Sequence, residues 1–324
     1  MIVDLPNTTT AKISKALVRI REDGGAVALG RVLTLIIATE FGNEEEAIEA
    51  ANDASREHPM RVLVVSTSPT APSSDEEARV DAQIRVGGDA GASEVIVVTA
   101  YGDAALDQES LVTGLLLPDA PVVAWWPGEG PESASESPLG RIAQRRITDA
   151  AASASPLDAM HRMCKTYVPG DTDFAWTRLT LWRAQLAAVL DQPPYEPITA
   201  VTVNGAADSA STMLLAAWLQ MQLEVTVTLE VAEGSPVPTG IHAVVLERAS
   251  GIITLKRNVA SIATLTQPDQ PVHDISLPRR SLRDCLSEEL RRLDPDKLFG
   301  NVVRYGVSEI TGVEIEKYVK AKIS

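Results

Sequence analysis

Residues able to carry bond chemistry are few in this chain, and none of them stand in a productive spacing. The histidines, His58, His161, His242 and His273, are scattered singly, so no general acid or base is assigned among them. Gly87-Gly88-Asp89-Ala90-Gly91 follows a strand-like run, but its glycines fall at relative positions 0, 1 and 4. A dinucleotide loop needs them at 0, 2 and 5 to admit a pyrophosphate to the helix start, so a plain turn is the better reading. Neither a Gly-Lys-Ser/Thr phosphate loop nor a Gly-x-Ser-x-Gly elbow is present. Cys164 and Cys285 are far apart and in no metal-ligand spacing, which argues against a zinc site and against a disulfide framework. Asp171 and Asp173 are explained by helix capping better than by acid-base pairing. The expectation is therefore no catalytic residue, no metal and no cofactor.

What the sequence offers instead is binding chemistry. Two arginine clusters could take phosphate or carboxylate: Arg141, Arg145 and Arg146, and then Arg279, Arg280 and Arg283 around Ser281, a candidate helix cap with Asp284 at the capping-box position. Ion pairing in a solvated, acidic protein accounts for the same clusters, and both readings stay open. Four of the five tryptophans fall in two short motifs, as Trp125 and Trp126, then Trp176 and Trp182. Successive residues of a strand face opposite sides, so one of Trp125 and Trp126 is expected in a core and the other at a surface. With Trp176, Arg178 and Arg183 that second indole has the composition of a protein-protein hot spot, although packing explains it equally well.

The element that positions much of this is Gly170 to Asp191, which reads as one helix. Asp171, Thr172 or Asp173 caps it, and Ala175, Leu179, Trp182, Leu186 and Val189 form its apolar face. Trp176, Arg178 and Arg183 lie off that face. Before it, Thr8 to Thr10 opens a helix that ends at Gly24-Gly25, and Val32 to Ala38 reads as a strand buried on both faces. Asn43 with Glu46 then starts a helix in capping-box fashion, and Arg61 to Ser66 is a second buried strand. An exposed loop over Ser68 to Glu77 precedes a strand from Arg79 with one wet face. A buried strand over Glu94 to Thr99, a helix over Asp107 to Leu117 and a strand ending at Trp126 follow. Gly128 to Pro138 holds too little apolar surface to offset its ordering entropy and is expected to be a mobile loop.

After the central helix the order recurs. A strand over Ile198 to Val203 is followed by a helix over Asp208 to Met221 and an alternating strand from Leu223 to Leu229. Two strands joined at Arg248 to Gly251 come next, then a helix from Ser281 to Leu293, a short helix through Arg304 and a less regular tail. The expected fold is α/β, with two tandem related α/β lobes, each a mixed sheet flanked by helices. The lobes span residues 1–169, including the mobile loop 128–138, and residues 170–324.

The totals agree with a globular protein of two domains. At 324 residues, 45% hydrophobic and 23% charged, the chain has ample core and no apolar run near the roughly 20 residues that span a bilayer. A net charge of -15 repels nucleic acid and anionic lipid over most of the surface. Residues 1–10 show no basic segment followed by an apolar one, so no secretion signal is expected and the cytoplasm is the expected compartment.

Two stretches carry a family resemblance. Leu117-Pro118-Asp119-Ala120-Pro121-Val122-Val123-Ala124-Trp125-Trp126-Pro127 and Gly170-Asp171-Thr172-Asp173-Phe174-Ala175-Trp176-Thr177-Arg178-Leu179-Thr180-Leu181-Trp182-Arg183 resemble the two signature motifs of the glucose-6-phosphate dehydrogenase assembly protein family, OpcA. The Gly30 to Val65 stretch is similar to its actinobacterial branch. The resemblance implies a protein that performs no catalysis, but binds glucose-6-phosphate dehydrogenase, promotes its active oligomer and raises its activity in the oxidative pentose phosphate pathway. A redox control known in parts of the family is not carried over, because Cys164 and Cys285 form no paired motif. Two other readings remain: an enzyme acting on sugar phosphates through Arg279 to Arg283 with Asp149 or Asp171, and a scaffold whose arginines sense a small metabolite.

Overall fold

The computed structural model describes residues 1–23, 30–68, 77–87, 94–231 and 239–310. The glycine helix end at 24–25, most of the loop at 68–77, most of the glycine turn at 87–91 and the tail beyond 310 lie outside them. Contacts divide the chain into two units. The first comprises Met1–Thr148, Gly170–Thr172 and Ser281–Pro295; the second comprises Asp149–Pro169, Asp173–Arg280 and Asp296–Ser324. Both units are thus discontinuous in sequence, whereas the sequence reading cut the chain once, after residue 169.

The first unit is built on eight strands: β1 (Ile2–Leu5), β2 (Leu33–Glu40), β3 (Met60–Thr67), β4 (Arg79–Arg85), β5 (Glu94–Tyr101), β6 (Val122–Trp125), β7 (Arg145–Thr148) and β8 (Asp171–Asp173). Their order in the sheet is β1-β4-β5-β3-β2-β6-β7-β8. The run β5-β3-β2-β6-β7 is parallel, and β4 pairs antiparallel with both β5 and β1. Parallel strands are covered on both faces by their crossovers, which is why β2 and β3 are almost wholly apolar. On one face Ile36, Leu63, Val65, Ile96 and Val98 pack with Ile13 and Leu17 of α1 (Thr10–Asp23) and Leu111 and Val112 of α3 (Gln108–Thr113). On the other, α2 (Glu44–Ala54) packs against β2, β3 and α9 (Leu282–Arg291).

Two details depart from expectation here. Asn43 precedes α2 without a side-chain cap bond, so the expected capping box is absent there, whereas the box of Ser281 and Asp284 at α9 is fully formed. The stretch 128–138, expected to be mobile, is tied into the unit. Ala134 is buried in the core, Ser137 Oγ donates to the Ala134 carbonyl, and Ser137 then caps α4 (Pro138–Arg141). Composition understated the order because backbone and serine bonds, rather than apolar area, hold the loop.

The second unit is a six-stranded sheet of β9 (Ala200–Gly205), β10 (Val227–Val231), β11 (Ile241–Arg248), β12 (Gly251–Val259), β13 (Ile262–Thr266) and β14 (His273–Ser276). The order is β10-β9-β11-β12-β13-β14, with only the β10-β9 pair parallel. The turn between β11 and β12 places Gly251 at φ +127°, a region that L side chains avoid. The core-facing side, including Val201, Val203, Val244, Leu246, Ile253 and Leu255, packs with α8 (Ala210–Leu223). This helix buries Met213 through Ala217 consecutively, as a helix enclosed on all sides must. Around it lie α5 (Pro156–Thr166), α6 (Phe174–Thr177), α7 (Thr180–Leu190), α10 (Lys297–Asn301), a π-helical turn at Val302–Gly306 and α11 (Val307–Ile310). Because α8 runs to Leu223 and Glu224 ends it in the left-handed region, the strand expected from Leu223 begins only at Val227.

The single helix expected over 170–191 is therefore three pieces. The chain first extends as β8, and then forms α6 and α7, joined through Arg178 and Leu179, which keep right-handed helical angles. Gly170 has φ +103°, and a side chain there would collide with the Gln144 carbonyl and the Arg146 guanidinium. The expected apolar face is correct, with Ala175, Leu179, Trp182, Leu186 and Val189 all buried. No helix among the described residues is long and apolar enough to cross a membrane.

Candidate functional site

A cavity of about 370 Å³ in the second unit gathers several charged side chains. Its wall carries four guanidinium groups, from Arg178, Arg257, Arg279 and Arg280, against one carboxylate, Asp208. Leu179, Trp182 and Ile241 supply an apolar side, and the first turn of α8, Ser209 to Ser211, forms another.

Three segments place the four arginines: the joint of α6 and α7, strand β12, and the connection between β14 and α9, which carries Arg279 and Arg280. Arg178, at the joint of α6 and α7, is held by a two-pronged bond to Asp149, with both N···O distances 2.6 Å. Arg280 donates from Nη1 to the Thr177 carbonyl at 3.0 Å. Arg279 reaches the hydroxyl and carbonyl oxygen of Thr239. Arg257 faces inward from β12, donates from Nη2 to the Leu277 carbonyl at 2.8 Å and sits 5.1 Å from the Trp182 ring centre. Neither Arg257 nor Arg279 has a carboxylate partner among the described residues. Burial, followed by the neighbouring Arg279, pulls the Arg257 pKa down to about 10, which still leaves it charged at neutral pH. Arg279 is lowered in the same direction, first by burial and then by Arg178. Behind them His242 is buried, and burial, Arg279 and Arg257 all lower its pKa, so its imidazole stays neutral. Guanidinium groups held at these distances attract anions and move no protons.

The structure brings together only part of what the sequence nominated. Arg279 and Arg280 meet Arg178 at the cavity, while Arg283 belongs to the first unit and lies 3.8 Å from Asp53. The other expected anion cluster is consumed internally. Arg145 is paired with Glu289 and also donates to the Asp294 carbonyl, Arg146 is paired with Asp171, and Arg141 reaches Glu109 and the Glu136 carbonyl. Asp171 thus serves Arg146, and the cap of α6 falls to Asp173, whose Oδ1 accepts from Ala175 N at 2.8 Å.

The expected aromatic surface is corrected as well. Trp125 and Trp126 do face opposite sides, but β6 lies within a sheet covered on both, and their exposures are 0% and 6%. Trp176 is 1% exposed because α6 is enclosed by α8 and α10; its indole N-H donates to Asp296 Oδ2 at 2.8 Å. Arg183 stacks 3.7 Å from the Trp176 ring centre, and Arg178 turns to the cavity. Sequence reading missed Arg257 altogether. The signal was there, since it shares the alternating inward face of Ile253 and Leu255, where an arginine is out of place.

In the first unit, the order of connection along the parallel run reverses between β2 and β6, and folds of this kind place a dinucleotide at that point. The residues there do not fit one. Phe41-Gly42-Asn43 leads into Glu44, Glu45 and Glu46 at the first turn of α2, which would repel a pyrophosphate. Among the described residues no cluster of three or more His, Cys, Asp or Glu is arranged to hold a metal.

Two family models cover most of the chain. Residues 51–165 match the glucose-6-phosphate dehydrogenase subunit N-terminal domain, and residues 169–303 match the corresponding C-terminal domain. The chain belongs to the OpcA family. No match to a curated protein sequence is found. Among solved structures, the transcriptional regulator Gal80p from Kluyveromyces lactis aligns over 94% of this chain and 96% of its own, with TM-score 0.52 and 8% identity. That likeness concerns the fold alone. Myo-inositol dehydrogenase from Lactobacillus casei aligns over 87% of this chain and 95% of its own at 9% identity, with TM-score 0.44.

The two cysteines of this chain, Cys164 and Cys285, are free thiols. Burial, and then the Asp173 carboxylate, push the Cys164 thiol up to about 12. At pH 8 its thiolate fraction should be about a thousandfold below that of an unperturbed thiol, so Ellman's reagent should label Cys164 in the native protein only on unfolding timescales. Rapid native labelling, mapped to Cys164 by mass spectrometry, would contradict this environment.

Proposed function

We propose that this chain is a non-catalytic assembly factor and activator of glucose-6-phosphate dehydrogenase, acting in the oxidative pentose phosphate pathway of the cytoplasm. The observation that carries the reading is the pair of family models, both described as parts of a glucose-6-phosphate dehydrogenase subunit. An activator must bind the active form of its partner more tightly than the inactive one, since equal affinity shifts nothing. A threefold to hundredfold effect requires about 0.7 to 2.7 kcal/mol of difference.

With the indoles buried, the docking surface has to be sought elsewhere. The outer face of the six-stranded sheet is the best candidate. Thr202, Val245, Thr254 and Thr266 form one row across it, and all are half-buried or exposed. At about 4.8 Å per strand the face is about 24 Å wide, and with strands of this length it offers roughly 400–500 Å². That is about half of one partner's share in a standard interface. A flat row of β-branched side chains suits a protein surface, and the dehydrogenase is the occupant the family models indicate.

Mixing purified chain with the dehydrogenase should give a co-eluting complex with raised activity, and the chain alone should turn over neither sugar phosphate nor nicotinamide cofactor. Thr254→Arg, at the centre of the outer face, should weaken complex formation at least about tenfold. Its melting temperature should stay near wild type, because an outward-facing substitution costs within about 0.5 kcal/mol. Steady turnover by the chain alone would defeat the activator reading; unchanged binding by Thr254→Arg would defeat only the choice of face.

A further inference from the structure

We infer that the arginine-lined cavity of the second unit is a binding site for a compact phosphate monoester, a phosphate carried on a small sugar-like body. Arg257 is the decisive residue. It is 7% exposed, and among the described residues its Nε has no partner and its hydrogen bond goes to a neutral carbonyl. A buried cation without a counter-charge is costly, and folds retain one where an anion arrives to complete it. Among the described residues Arg279 bonds to Thr239, again to neutral oxygens, and it opens on the same space.

The rest of the wall suits such a ligand. Arg178 is oriented by Asp149, and Arg280 by the Thr177 carbonyl, so the guanidinium groups are fixed rather than swinging. Arginine forks match the tetrahedral oxygens of phosphate, and several of them favour a dianion over a single carboxylate. The fourteen-residue helix α8 directs its N-terminal turn at the cavity through Ser209, Ala210 and Ser211, adding its positive dipole end. Leu179, Trp182 and Ile241 leave room for an uncharged body beside the phosphate. A volume of about 370 Å³ is at the small end of ligand sites, which run about 300–1,000 Å³, and so favours a sugar phosphate over a dinucleotide.

The test needs no dehydrogenase, so its failure is separate from failure of the proposed function. Glucose 6-phosphate, inorganic phosphate and glucose are titrated into the full chain by calorimetry at fixed ionic strength, with melting temperature followed in parallel. Glucose 6-phosphate is expected to bind at least about tenfold more tightly than inorganic phosphate, glucose to be silent, and the melting temperature to rise with ligand concentration. Arg257→Gln and Arg279→Gln should each cut the affinity about tenfold or more, whereas Arg141→Gln, in the other unit, should leave it unchanged. Should Arg257→Gln fail to fold, the exposed Arg279→Gln decides alone. Absence of binding up to about 10 mM, equal binding of inorganic phosphate, or full affinity in Arg279→Gln would overturn the inference.

Discussion

Trp176→Ala should destabilise the second unit by about 3–5 kcal/mol, a large part of the 5–15 kcal/mol that holds a typical domain together. The indole fills space between α6, α8 and α10, with its ring centre 5.7 Å from Phe299 and 3.7 Å from the Arg183 guanidinium carbon. Removing it opens a cavity and also strands an oxygen of Asp296, whose other oxygen accepts from the N-H groups of Leu298 and Phe299 to start α10. Thermal melts should therefore show a drop of roughly 10 °C. Trp176→Phe keeps most of the packing but loses the hydrogen bond, and should cost about 1–3 kcal/mol. An alanine variant that melts like wild type would return this indole to the surface and revive the docking role that its motif suggests.

The second large effect belongs to Glu94 at the start of β5. Its carboxylate is 1% exposed and accepts from Arg61 Nε at 2.8 Å and from Arg21 Nη2 at 3.0 Å, with Arg31 at 3.4 Å. Arg61 also donates to the Leu115 carbonyl at 2.5 Å, so the pair ties β3, β5 and the end of the α3 segment together. Glu94→Gln leaves Arg61 buried without its counter-charge and should cost about 3–5 kcal/mol. Burial alone would raise the Glu94 pKa; Arg61, Arg31 and Arg21 outweigh it and hold the group below its ordinary 4.5. A depressed folded-state pKa means that the stabilisation is complete above pH 4.5 and is lost as pH falls through the lower folded value. Urea midpoints followed from neutral to acid pH should show a smaller acid decline in Glu94→Gln than in wild type. Equal acid declines would remove Glu94 from the account.

Much of the fold was legible because it rests on periodicity. The continuous apolar runs of β2 and β3, the alternation of β4 and the apolar face of α7 each fix which side of an element is buried, and the structure buries those sides. The Ser281 capping box was legible for the same local reason. The candidate site was less so. Arginine type and number are visible in sequence, but whether an arginine is spent or spare depends on the acid that folding brings to it. Arg145 and Arg146 meet Glu289 and Asp171, while Arg257 meets a carbonyl and an indole face but no carboxylate among the described residues. No local pattern distinguishes these cases, since Glu289 lies far along the chain from Arg145. Tryptophans are ambiguous for a similar reason: the same indole serves a core or an interface, and only the cover on both faces of β6 and around α6 decides.

The sequence by itself determined the α/β class, the core faces of the strands and helices, and the two motifs by which the family is recognised, because these depend on residues near one another along the chain. The tertiary structure alone decided which charges are neutralised and which indoles are sealed. It also gathered Arg178, Arg257, Arg279 and Arg280 around one cavity. Those outcomes depend on through-space partners from distant segments, and both Coulomb attraction and desolvation act over ångströms in space, whatever the separation in sequence.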